Sequence, residues 1–167
     1  MKCVWRFCAT GVILLLAGCG PREPVVVAPE TSVNEQRREE YFGKEIAADP
    51  AIAWRPINLG IKLLAPGEGP LLQLTDRVRV HYTGRLKDGT VFDDSRARGQ
   101  PSEFNVNGLI TGWSAGMLVL RPGSRALFYI PPHLGYGGLR SGKVPPFSGL
   151  VFEVEVLAVN PEPAAKP

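Results

Sequence analysis

An alternating strand followed by a tight turn is the feature that most narrows what this chain can fold into. From Val78 to Tyr82 apolar residues alternate with polar ones, as on a strand buried on one face only. Asp88-Gly89 then supplies a turn in which the glycine can take a positive φ angle. The return run contains Phe92-Asp93, so the two strands would wall a small apolar pocket with polar groups at its edge. Binding sites are usually built in this way.

Further strand-like segments follow from Leu59 onward. In the last one, apolar and acidic residues alternate, so that its apolar side chains face a core. A short helix is predicted at 111–117, with Thr111 as its N-cap. Strands in series around one short helix predict an α+β domain with an antiparallel sheet of about five strands wrapped around that helix. The predicted strands lie at Gly60–Leu64, from Val78, around Val91–Asp93, at Arg125–Ile130 and at Val151–Val159.

The N-terminus has the pattern of an export signal. Lys2 and Arg6 precede an apolar run over 7–17, which is shorter than the about 20 residues that a membrane-spanning helix needs. The run ends in Leu-Ala-Gly-Cys-Gly, which resembles the lipobox of bacterial lipoproteins. This resemblance implies a signal peptide over 1–18 and a lipidated Cys19. The alternatives are an ordinary signal peptide, or a short buried segment with an incidental cysteine.

If Cys19 is acylated, the protein is anchored in the bacterial envelope, since several acyl chains hold a protein where one is marginal. Gly20 stands where an Asp retains many lipoproteins at the inner membrane, so the outer membrane, facing the periplasm, is favoured. Cys3 and Cys8 would leave with the signal. The folded part would then contain no thiol, and therefore no disulfide, cysteine nucleophile or cysteine metal site.

The net charge gives no reason to expect nucleic acid as a partner. The formal charge is +3, and without Lys2 and Arg6 it becomes +1 (3 − 2). Proteins that grip phosphates need a concentrated excess of basic residues. His81 and His133 are far apart in the sequence and lack neighbouring ligand residues, so we predict neither a metal site nor a cofactor.

The segments that flank the predicted domain differ from it in composition. Residues 19–31 are rich in proline and predict an extended tether, and 32–57 predict a short, mostly solvated helix with a connector. Ser32 and Glu35 form a capping box for that helix. The folded domain is predicted over 58–159 and a disordered tail over 160–167. A monomer is the default expectation, with dimerisation through the polar helix as the alternative.

Seven short motifs occur together in the order and spacing of one known family. The chain resembles FKBP-type peptidyl-prolyl cis-trans isomerases over about 100 residues, from near Leu59 to Val159. The shared motifs are Val80-His81-Tyr82-Thr83-Gly84, Asp88-Gly89, Val91-Phe92-Asp93, Ile110-Thr111-Gly112-Trp113, Gly135-Tyr136-Gly137, Val144-Pro145-Pro146 and Leu150-Val151-Phe152-Glu153-Val154-Glu155. Each motif alone is weak evidence, but seven in register are specific.

The resemblance implies a substrate pocket and a role for each of its residues. Trp113 would form the floor, aromatic side chains the walls around the substrate proline ring, and Asp93 the polar edge, oriented by Arg98. The backbone N–H of Ile110 and the hydroxyl of Tyr136 would donate to substrate carbonyls. The implied catalytic residues are Tyr82, Phe92, Asp93, Ile110, Trp113, Tyr136 and Phe152, and the implied substrate-binding residues are Arg98, Phe104, Leu109 and Val144.

The resemblance implies rotation of X-Pro bonds in envelope proteins, by desolvation in an apolar pocket and hydrogen bonds to substrate carbonyls. The expected partners are proline-containing polypeptides, macrolide inhibitors and a membrane. A non-catalytic chaperone or partner-binding module of the same fold is the alternative.

Three departures from the family pattern affect the pocket rim. Ser102 replaces an aromatic residue, Lys143 replaces an apolar residue, and Phe147-Ser148-Gly149 replaces a stretch of polar and small residues.

Overall fold

The computed structural model describes residues 30–161, which form an antiparallel sheet with a short helix on one face and an N-terminal helix on the other. The strand order is β1-β2-β6-β7-β3-β4, and β5 also pairs with β3. The strands are β1 (Ala53–Trp54), β2 (Gly60–Ala65), β3 (Arg77–Leu86), β4 (Val91–Asp94), β5 (Ser102–Asn105), β6 (Arg125–Ile130) and β7 (Leu150–Val159). The helices are α1 (Glu30–Phe42), α2 (Lys44–Ala47) and α3 (Thr111–Met117).

The predicted α+β fold with an antiparallel sheet is confirmed, and the sheet has two strands beyond the five expected. The additional strands, β1 and β5, contain only 2 and 4 residues. Segments this short show no usable alternation of apolar and polar residues. They form strands because tertiary neighbours supply their hydrogen bonds, β2 for one and β3 for the other.

The central pair of strands, β3 and β7, is buried on one face, as their alternating sequences predict. On β7 Phe152, Val154 and Val156 are buried, whereas Glu153 and Glu155 face outward and pair with arginines of neighbouring segments. The predicted turn also forms. Gly89 has a φ of 84°, and the Asp88 carboxylate accepts a hydrogen bond from the Thr90 N–H at 2.9 Å.

Helix α3 lies against the buried face of the sheet and carries Trp113 and Met117 into the core. A Cβ atom on Gly116 would stand 2.9 Å from the Phe128 ring, so glycine is needed for this close approach. The prediction that Thr111 caps the helix is wrong. Ile110 occupies the N-cap position, and no side chain bonds there; its carbonyl accepts from the N–H groups of Trp113 and Ser114.

The N-terminal helix differs from its prediction in both its bounds and its packing. It begins at Glu30, which places Ser32 inside the first turn and not at the predicted N-cap. Gly43, with a φ of 92°, breaks the predicted continuous helix into α1 and α2. Phe42 is only 2% exposed and packs against Trp54 and Tyr129, on the sheet face opposite α3.

Polar contacts hold α1 on this outer face. The Arg38 guanidinium lies 4.8 Å from the Trp54 ring centroid and donates to the Asn58 side chain at 3.0 Å. The Asn58 amide donates in turn to Asn34 at 3.1 Å. The Lys87 ammonium donates to the Glu40 carbonyl at 2.7 Å, close to the C-terminal end of the helix. The helix is therefore fixed to the sheet.

One residue of the predicted tail makes hydrogen bonds to the folded domain. Asn160, assigned to the disordered tail, accepts a hydrogen bond from the Arg77 N–H at 2.9 Å and donates to Asp76 at 2.9 Å. The rest of the predicted tail from 162, the predicted signal peptide and most of the predicted tether lie outside the described residues. Within 30–161, no helix is long and apolar enough to cross a membrane.

Candidate functional site

A cavity of about 440 Å³ opens between α3 and the strands that face it. It is lined by aromatic and aliphatic side chains, with polar residues at its edge. Its lining residues are Tyr82, Phe92, Asp93, Phe104, Gly108, Leu109, Ile110, Trp113, Tyr136, Ser141, Gly142, Lys143, Val144 and Phe152.

Several pairs of aromatic rings in the cavity stand nearly perpendicular to each other, whereas the Tyr82 ring is tilted by 53° to that of Phe152. The Trp113 ring centroid lies 5.4 Å from that of Tyr82, at 87°, and 5.3 Å from that of Phe152, at 85°. Phe92 meets Phe152 at 5.4 Å and 90°. Edge-to-face packing of this kind matches the charge distribution of aromatic rings. The rings therefore fix one another and leave a firm apolar slot.

Gly84 on β3 makes room for two of these rings. It pairs in register with Asp93 on one side and with Phe152 on the other. A Cβ atom at this position would stand 2.6 Å from the Phe92 ring and 2.8 Å from the Phe152 ring. The absent side chain therefore shapes the slot, although Gly84 does not line it.

A network of four side chains forms the polar edge. The Tyr82 hydroxyl donates to Asp93 Oδ2 at 2.5 Å, and Arg98 forms a salt bridge with Asp93 Oδ1. Arg98 also donates to the Tyr82 oxygen and to the Ser102 hydroxyl, each at 3.1 Å. Burial, and secondly the hydrogen bond to Asp93, raises the pKa of Tyr82 above its usual value. The phenol therefore remains protonated at neutral pH.

Ser95 positions Tyr82 from behind the cavity. It is 0% exposed, and its hydroxyl oxygen accepts from the Tyr82 N–H at 2.8 Å. The Ser95 N–H donates to the Tyr82 carbonyl at 3.0 Å, and the hydroxyl also lies 2.9 Å from His81 Nδ1. Ser95 thus ties β4 to β3 at the pocket tyrosine, and His81 has a polar partner, as expected of a satisfied strand residue.

Two of the hydrogen-bond donors at the cavity that have no acceptor among residues 30–161 are those that the family resemblance implied. One is the Ile110 N–H, which precedes the first turn of α3. The other is the hydroxyl of the half-buried Tyr136, which follows a short 3₁₀ turn at Pro132–Leu134. The cavity thus offers two donors to a ligand that carries carbonyl groups.

The structure brings together the residues that the family resemblance implied. All of them line the cavity except Arg98, which stands behind Asp93 and Tyr82. Their individual roles stay predictions. Sequence reasoning did not single out Gly84 or Ser95. A serine directly after a strand, two residues beyond Asp93, was the available signal for Ser95.

No group of three or more His, Cys, Asp or Glu side chains within 30–161 is arranged to hold a metal ion. His133 lies exposed in its 3₁₀ turn, and His81 bonds to Ser95 on β3.

Known proteins are similar to this chain over most of its length. The model of the family described as "FKBP-type peptidyl-prolyl cis-trans isomerase" matches residues 69–157. A probable FKBP-type peptidyl-prolyl cis-trans isomerase of Haemophilus influenzae is 41% identical over 138 residues, covering 81% of this chain and 57% of that protein. An Escherichia coli FKBP-type 22 kDa peptidyl-prolyl cis-trans isomerase is 52% identical over 103 residues, covering 61% and 50%.

The crystal structure of FkpA from Escherichia coli superposes with a TM-score of 0.69 at 34% identity, covering 80% of this chain and 61% of that one. The chain thus spans about half the length of the first two relatives. The fold, the residues that line the cavity and the sequence comparisons indicate the same family. The chain belongs to the FKBP-type peptidyl-prolyl cis-trans isomerase family.

Proposed function

We propose that the chain catalyses cis-trans rotation of X-Pro peptide bonds in polypeptides. The observation that carries this proposal is the aromatic slot of Trp113, Tyr82, Phe92 and Phe152, packed largely edge to face, which suits a proline ring. The free donors of Ile110 and Tyr136 at the same cavity suit the carbonyls on either side of such a ring.

The physical basis lies in the polarity of the amide bond. Resonance keeps the bond planar and dipolar, with a rotation barrier of about 18–20 kcal/mol. At mid-rotation the resonance is lost and the bond is less polar. An apolar slot that excludes water therefore favours the twisted state over the planar one, while donors hold the flanking carbonyls. Lowering the barrier by about 5 kcal/mol would raise the rate by between three and four powers of ten.

The polar edge orients the substrate and transfers no proton in this scheme. The salt bridge to Arg98 offsets the charge of Asp93, and the raised pKa of Tyr82 keeps its phenol neutral. Both oxygens of the Asp93 carboxylate are already engaged, one by Tyr82 and one by Arg98. Rotation about a C–N bond requires neither a nucleophile nor a general acid.

The cis-to-trans rate of an X-Pro peptide tests the proposal. We expect the purified chain to accelerate it, and Phe92→Ala together with Asp93→Ala to abolish the acceleration. A macrolide inhibitor of the family should compete for the slot. A rate equal to the uncatalysed one would exclude the activity.

A client-holding role that needs no turnover is the second candidate function. It is supported by Leu139 and Phe147, which are 74% and 73% exposed and lie on the chain segment after Tyr136. Such side chains can hold apolar segments of unfolded proteins. The Phe92→Ala, Asp93→Ala double variant should then still prevent client aggregation after it has lost isomerisation. Loss of both together would contradict this role.

We propose that the protein is exported and anchored in the bacterial envelope through Cys19, with the outer membrane as its location. The lipobox-like sequence supports this, although Cys19 lies outside the described residues. Radiolabelled palmitate should enter the wild-type protein but not Cys19→Ser. Continued labelling of that variant would refute the anchor.

We also propose that the protein is a monomer. Light scattering of the delipidated protein should therefore give the mass of one chain.

A further inference from the structure

A lysine at the mouth of the cavity has no acidic partner in the described part of the chain. Lys143 lines the cavity and is exposed. Among residues 30–161, the salt bridges all join other side chains, and the cavity's own carboxylate, Asp93, pairs with Arg98. The mouth of the cavity therefore carries a positive charge that can pair with an anionic group of a ligand.

The sequence that builds this side of the cavity contains no acid. Between Glu103 and Glu153 the chain has no Asp or Glu, although it contributes most of the lining residues. The same loop carries a second exposed cation, Arg140, three residues before Lys143 and outside the cavity lining. A cation at a cleft, together with a like charge nearby, gives an attractive potential for anions.

A tight turn holds the Lys143 backbone in place. The Ser141 N–H donates to the Val144 carbonyl at 3.1 Å, and the Val144 N–H donates back at 2.8 Å. Gly142, at a φ of 55°, allows the reversal, and Val144 is buried at 2% exposure. The turn therefore sets the local backbone conformation at Lys143, which is a lining residue of the cavity.

We propose that Lys143 makes the site favour X-Pro bonds flanked by an acidic residue. This specificity rests on the proposed isomerase function and names its preferred substrate class. A carboxylate beside the proline ring would come within range of the ammonium group as the ring enters the slot. For an exposed ion pair we expect a preference of about two- to fivefold. It should act on KM, since the charge attraction is equal in the planar and twisted states.

Matched peptides test this with the full purified chain. Glu-Pro is compared with Gln-Pro, and Pro-Glu with Pro-Gln, so that only the charge differs within each pair. In at least one pair kcat/KM should be about threefold higher for the acidic peptide at low salt, through a lower KM. The ratio should approach one in about 1 M salt, where the Debye length is about 3 Å.

Three variants assign the effect to one side chain. Lys143→Met should bring the ratio to about one, and Lys143→Glu should invert it. Lys44→Met removes the same charge from an exposed position on α2 and should leave the ratio as in the wild type. Ratios near one for both pairs in a wild type that turns over the Gln peptides would overturn the specificity alone. Absence of turnover for every peptide would remove the isomerase function itself.

Discussion

At the scale of single residues, the site depends on side chains that do not touch the substrate slot. Ser95 is buried behind Tyr82 and satisfies its N–H, while Gly84 leaves the space that the rings of Phe92 and Phe152 occupy. Neither residue supplies chemistry. Both decide whether the aromatic walls stand at the angles that a proline ring requires, because rings locked by packing lose their geometry when their support is removed.

Substitution of Ser95 tests the first of these supports. In Ser95→Ala the Tyr82 N–H stays buried without its acceptor, so we expect the free energy of unfolding to fall by about 1–3 kcal/mol. Urea denaturation measures it. Ser148→Ala is the matched control, because that hydroxyl bonds only to the Pro145 carbonyl at an exposed site; it should change stability by less than about 0.5 kcal/mol. Equal effects of the two substitutions would contradict the role of Ser95.

Substitution of Gly84 tests the second support, which is the space left for the rings of Phe92 and Phe152. In Gly84→Ala the added methyl group overlaps the Phe92 ring, so the wall must shift. We expect a loss of about 1–3 kcal/mol in unfolding free energy, and a fall in kcat/KM of about ten- to a hundredfold. Gly108→Ala serves as a control for stability, since the nearest atom to its Cβ is at 4.0 Å. Unchanged kinetics in Gly84→Ala would show that the slot tolerates a displaced wall.

At the scale of elements, the sequence predicts what neighbouring residues determine and misses what distant ones determine. The β3–β4 hairpin was predictable because alternation and the Asp88-Gly89 turn are local signals. The break at Gly43 was missed because a glycine within a helical pattern is usually tolerated. The edge strands β1 and β5 exist only through their tertiary partners. The pocket residues were predicted from the family resemblance. Lys143 was noted there only as a departure from the family pattern.

The helix on the outer face contributes stability without shaping the slot. Phe42 packs with Trp54 and Tyr129 on the face opposite α3. We expect Phe42→Ala to lower the free energy of unfolding by about 3–5 kcal/mol, with kcat/KM in peptide assays well below the folding midpoint remaining within about twofold. Arg37→Ala, on the exposed side of α1, should change neither quantity. A parallel loss of kcat/KM in Phe42→Ala would mean that the two faces are coupled.

At the scale of the whole molecule, one sheet separates two aromatic clusters. Adjacent residues of β6 belong to different clusters: Phe128 faces Trp113, and Tyr129 faces the N-terminal helix. This arrangement follows from the two-residue period of a strand. It also buries one tyrosine on each face, Tyr82 and Tyr129, and burial raises the pKa of both phenols.

The two tyrosines predict how stability depends on alkaline pH. Their pKa values in the folded chain lie above the unfolded value of about 10, so their stabilising contribution is complete below that pH. It is lost as pH rises towards the folded values, because only the unfolded chain then releases these protons. Urea midpoints between about pH 9 and 11 should fall less steeply in Tyr82→Phe and in Tyr129→Phe than in the wild type. Parallel slopes in all three proteins would contradict the raised pKa values.

The placement of the tryptophans gives the molecule two built-in optical probes. Of its three tryptophans, Trp5 belongs to the predicted signal peptide, Trp54 contacts Arg38 of the outer helix, and Trp113 lies in the slot. In a chain that lacks residues 1–18, Trp54→Phe would leave a fluorophore that reports the filling of the slot, and Trp113→Phe would leave one that reports release of the helix. Emission from the two variants would resolve substrate entry and helix undocking as separate events in time.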